Sequence, residues 1–83
     1  MTDLRQGVTA TQQAVLDLIE REAPGWADSY DFEEQLKQAM LVAGTACRSN
    51  KLTAKRTAAI EAAARLIDAA DEISRMLQLD GNS

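Results

Sequence analysis

Two clusters of side chains stand out for the chemistry they can support. Arg48, Lys51, Lys55 and Arg56 place four bases within nine positions. Bases beside the free N–H groups of a helix N-terminus make an anion site, suited to a phosphate, a nucleotide or an acidic partner. Trp26, Tyr30 and Phe32 fall within seven positions, interleaved with Asp28, Asp31, Glu33 and Glu34. Trp and Tyr beside charge are frequent anchors of protein interfaces. An acidic surface carrying them suits a basic groove on a partner.

Catalysis finds less support. The chain has no histidine and one cysteine, Cys47. That excludes a His-based dyad or triad, the usual zinc sites and an internal disulfide framework. The four glycines lie apart at 7, 25, 44 and 81, so no glycine loop cradles a phosphate. Glu33-Glu34 and Asp71-Glu72 are adjacent pairs that point to different sides of a helix. Asp68 and Glu72, at i,i+4, can touch a cation, but a solvated face is the simpler expectation. Cys47 is expected to be a small core residue rather than a reactive thiol. Neither an enzyme nor a cofactor is expected.

Helices must position these clusters. From Ala59 the apolar residues Ala59, Ala63, Leu66, Ala70, Ile73 and Leu77 step 4-3-4-3-4, widened by Ile60, Ile67 and Met76. Glu61, Arg65, Asp68, Asp71, Glu72 and Arg75 fall opposite, so the stripe is expected inside and the charges outside. Thr53 is the expected N-cap of a helix over 54–79. Phe32, Leu36, Ala39, Ala43 and Ala46 mark a second helix over about 30–48, with Met40 and Cys47 beside the stripe. Ser29 or Asp31 can cap its start, Asp31 and Glu34 have capping-box spacing, and Gly44 marks a bend or a close approach. Ala14, Val15, Leu18 and Ile19 mark a first helix. It starts at a Thr9–Gln12 capping box or earlier, near Asp3, and is expected to stop before Pro24.

No strand-like alternation occurs. The 83 residues, 46% apolar with fifteen alanines, fit one all-α domain over 1–83, ending in a polar tail at 80–83. The short connections predict an antiparallel up-down-up three-helix bundle with helices at about 9–23, 30–48 and 54–79. The alanine-rich third helix suits close self-association as a dimer. No apolar run approaches the ~20 residues of a membrane span. Without a secretory leader, a soluble cytoplasmic protein with reduced Cys47 is expected.

The net charge of −4 conceals a segregated chain. Residues 1–34 carry −6, residues 35–56 carry +5 and residues 57–83 carry −3. An up-down-up order puts the acidic aromatic cluster and the basic join at opposite ends. Sequence-specific DNA reading is not expected, because Thr57 to Ala64 is mostly alanine where a recognition helix needs polar and basic side chains.

These features favour a non-enzymatic protein-interaction module, an inhibitor or adaptor. It would dock Trp26, Asp28, Tyr30, Asp31, Glu33 and Glu34 on a basic protein surface. The alternatives are an oligomer holding a phosphorylated ligand or nucleotide at Arg48, Lys51, Lys55 and Arg56, and a structural homo-oligomer. In size, acidity and lack of catalytic residues the chain resembles the small helical inhibitors of host defence carried by phages and mobile elements. The resemblance is one of type rather than of motif.

Overall fold

The computed structural model describes residues 9–79. It is an all-α three-helix bundle of α1 (Ala10–Ser29), α2 (Phe32–Arg48) and α3 (Leu52–Leu79). None of the three is long and apolar enough to cross a membrane.

Local chemistry fixes the helix ends. Thr9 caps α1 in a reciprocal box: Gln12 N–H donates to Thr9 Oγ1 at 3.1 Å, and Thr9 N–H donates to Gln12 Oε1 at 2.8 Å. Two orphan N–H groups are satisfied at once. The alternative start near Asp3 lies outside the described residues. Asp31 caps α2, its carboxylate accepting from Glu34 N–H at 2.8 Å, and Glu33 and Glu34 lie in the first turn where the dipole favours acids.

Three boundaries depart from the sequence expectation. Pro24 does not stop α1, which runs through it to Ser29 and closes with Tyr30 N–H on Trp26 O at 2.8 Å. An interior proline costs about 3 kcal/mol. Here the turn beyond it carries Trp26 and Tyr30 into contact with α3, and that packing offsets the cost. The α1–α2 connection is therefore only Tyr30-Asp31, not a 24–29 turn. At its start, α3 begins at Leu52, with Lys55 N–H donating to Lys51 O at 2.9 Å. Lys51 takes the cap position expected of Thr53, and Thr53 lies inside the helix, its carbonyl accepting from Thr57 Oγ1 at 3.0 Å. Gly44 sits within unbroken α2, and a Cβ there would meet the Arg48 guanidinium at 3.2 Å rather than a neighbouring helix.

The third helix is the spine. Antiparallel to it, α2 sets Gln35 beside Arg65 and Asp68 at one end and Ala46 beside Lys55 at the other. A neighbouring side of α3 takes α1, through a core of Val15, Trp26 and Ala64 ringed by Leu18, Ile19, Ala23, Ile60 and Ala63. No comparable interface joins α1 to α2. Buried Ala39, Ala58, Ala62 and Ala69 line the α2–α3 contact, where methyl-sized side chains allow close approach.

This packing shifts the buried side of α3 away from the expected one. Its buried positions are Ala58, Ala62, Ala64 and Ala69, and Arg65 is nearly buried at 11% side-chain exposure. Of the stripe expected inside, Ala59, Leu66, Ala70 and Leu77 are exposed and Ala63 and Ile73 half-buried, while Asp71, Glu72 and Arg75 are exposed as expected. Small residues, and one arginine bonded to Glu61 and Gln35, take the buried positions of α3 instead. On α2, Ala39 is buried and Phe32 and Ala46 are half-buried as expected, but Leu36 and Ala43 are exposed. Cys47 is exposed rather than core, since it lies one position beyond the Gln35, Ala39, Val42, Ala46 line that meets α3.

Candidate functional site

A polar network ties the three helices at the Gln35 level. Gln35 is 2% exposed. Its Oε1 accepts from Arg65 Nη1 at 2.8 Å, and its Nε2 donates to Asp68 Oδ2 at 3.0 Å. Only this orientation of the amide satisfies both neighbours. Arg65 Nε donates to Glu61 Oε2 at 3.1 Å. The guanidinium also lies against the Trp26 ring of α1 and the Tyr30 ring just past its end, its Cζ 4.8 Å from the Trp26 centroid and 5.4 Å from that of Tyr30. Such cation–π contacts strengthen as they lose water. Among the described residues no buried side-chain polar atom lacks a partner.

Beside this network a groove of about 480 Å³ opens where the end of α1, the start of α2 and the C-terminal half of α3 meet. Tyr30, Phe32 and Met76 give it apolar walls, and Asp31, Asp68 and Glu72 give it three carboxylates. Its one base, Arg75, is held by Glu72 at 2.7 Å. That hydrogen bond raises the pKa of the guanidinium above its ordinary value, so Arg75 stays charged throughout the working range. The acidic groups of α3 thus join the acidic segment around residue 30.

The sequence-predicted residues separate here. Tyr30 and Asp31 line the groove. Asp28, Glu33 and Glu34 are exposed, Glu34 lying 3.6 Å from Lys37. Trp26, expected as an exposed anchor, is only 6% exposed and belongs to the core, because Arg65 takes its ring face. Asp68, Glu72, Met76 and the Gln35–Arg65 pair were not singled out as a site by type and spacing. The available signals were the Asp68–Glu72 i,i+4 spacing and a glutamine between Phe32 and Ala39 on an apolar stripe.

At the opposite end the basic join has intramolecular work. Lys55 Nζ donates to Ala46 O at 3.0 Å and so caps the C-terminal end of α2, where the dipole favours a cation. Arg48 folds back over Gly44. Lys51 and Arg56 are exposed. No group of three or more metal-ligating side chains occurs among the described residues. Compared with known protein families, curated proteins and solved structures, the chain matches none.

Proposed function

We propose that the protein works by binding rather than catalysis, as an inhibitor or adaptor whose acidic aromatic end docks on a basic surface of a partner protein. The groove between Tyr30, Asp31, Asp68 and Glu72 carries this reading. It offers apolar walls for the stem of a lysine or arginine and carboxylates for its head, the arrangement long basic side chains favour. Gln35, which lines the groove and is held by Arg65 and Asp68, gives it a preorganised wall, which keeps the entropy cost of docking low. The basic join is the weaker candidate, since Lys55 is committed to the α2 carbonyls.

Affinity capture from the native host tests the reading. Wild-type chain should retain a partner with a basic surface, and Asp28→Lys combined with Glu72→Lys should lose it with helicity unchanged. Arg48→Glu combined with Lys51→Glu, at the far end, should keep it. Retention by the first double variant, or loss by the second alone, overturns the assignment.

A further inference from the structure

The acidic groove already holds a cation, and it is the chain's own. Arg75 Nη2 donates to Glu72 Oε1 at 2.7 Å, the shortest ion pair among the described residues. Both line the groove with Asp31 and Asp68, beside Tyr30 and Phe32. Glu72 is the only acceptor Arg75 has among the described residues, and the arginine side chain is 62% exposed. Arg65 is held quite differently, at 11% exposure and with bonds to both Glu61 and Gln35. The other carboxylates keep acceptors free. Asp68 gives Oδ2 to Gln35, and Asp31 gives Oδ1 to Glu34 N–H. One oxygen of each, and Oε2 of Glu72, has no hydrogen-bond partner among the described residues.

We propose that Arg75 is a stand-in, and that the groove is a receptor for an arginine side chain of the partner, which takes Glu72 from Arg75. The inference rests on the docking role proposed above and names what that site recognises. Charge complementarity sets the sign of the occupant. Three carboxylates against one base leave the groove negative even with Arg75 seated. Glu72 and Asp68 lie one turn apart on α3, so one guanidinium can reach the free oxygens of both. Two features select arginine over lysine. The seated occupant is itself a guanidinium. The groove also has aromatic walls, against which a planar guanidinium stacks better than an ammonium while its fork stays on carboxylates. Arg65 already combines these contacts, lying against Trp26 and Tyr30 while bonded to Glu61. An exposed ion pair contributes little stability, so Arg75 yields its place readily and competes with the partner only modestly.

The test titrates the full chain at low ionic strength with acetyl-Gly-Arg-Gly-amide and with its lysine counterpart. Nuclear magnetic resonance follows the Gln35 side-chain amide, which lines the groove and donates to Asp68. Wild type should bind the arginine peptide at least about threefold more tightly than the lysine peptide. Arg75→Gln should lower the Kd of the arginine peptide about two- to fivefold by removing the competitor. Lys37→Gln removes the same charge at Glu34, outside the groove. It should lower that Kd by less than about 1.5-fold, the effect of a distant, screened charge. Equal or tighter binding of the lysine peptide, equal gains from the two variants, or no shift at Gln35 with the arginine peptide would overturn the proposal. Affinity capture separates this from the docking role. Titrations as expected with no captured partner defeat the inhibitor or adaptor reading alone. A captured partner that Arg75→Gln binds no better than Lys37→Gln does defeats the stand-in role alone.

Discussion

Replacing Gln35 with leucine should unlock the bundle at its centre. The side chain is fully buried and makes two hydrogen bonds, each to a charged group, at 2.8 Å to Arg65 and 3.0 Å to Asp68. Bonds of that kind contribute about 1.5–3 kcal/mol each. Leucine fills most of the volume and recovers about 1–2 kcal/mol through apolar burial. Asp68 rehydrates through the groove it lines, but Arg65, at 11% exposure, loses an acceptor that water does not readily replace. The net cost is then roughly 2–4 kcal/mol. A domain of this length holds only about 4–12 kcal/mol in total. The melting temperature should fall on the order of 10–30 °C.

Thermal and urea unfolding, followed by far-ultraviolet circular dichroism and by Trp26 fluorescence at fixed chain concentration, measure this. Trp26 is the single tryptophan and stacks on Arg65, so its emission reports whether the guanidinium has moved. Gln35→Glu keeps the acceptor for Arg65 but opposes a second carboxylate to Asp68, and should fall between wild type and Gln35→Leu. A loss below about 0.5 kcal/mol for Gln35→Leu, the range of an ordinary surface change, with unaltered emission would refute the argument.

Three further changes have defined outcomes. Gly25→Ala should stabilise the chain by about 0.5–1 kcal/mol in urea melts, because Gly25 lies in a helix and an added Cβ meets nothing within 4 Å. Lys55→Met should cost about 1 kcal/mol by removing the ammonium that caps α2 at Ala46 O while keeping the stem, read by the same melts. Arg65→Lys should cost about 2–3 kcal/mol and shift Trp26 emission, since an ammonium does not reproduce the planar fork that meets Glu61, Gln35 and two rings at once.

The helices were legible in the sequence wherever a local rule decides them. Thr9 and Asp31 cap where their spacing predicts, since a capping box depends on residues three apart. Pro24 misleads for the opposite reason: what carries α1 through it is a partner, Arg65, forty-one positions away. The acidic end was legible as composition. Its groove was not, because Asp68 and Glu72 join Tyr30 and Asp31 only through the packing of both α1 and α2 on α3.

Arg65 also explains why the buried side of α3 departs from the expected one. A guanidinium normally marks the wet side of a helix, but one that satisfies Glu61 and Gln35 and lies under two rings can enter with its charge compensated. Its entry accompanies Ala58, Ala62 and Ala69 on the buried side of α3, which leaves Ala59, Leu66, Ala70 and Leu77 of the 4-3-4-3-4 row exposed. Such a row specifies a helix with one side to be covered. It does not specify which helix does the covering. In this chain α1 and α2 both pack on other sides of α3, and Leu66 and Leu77 stay exposed.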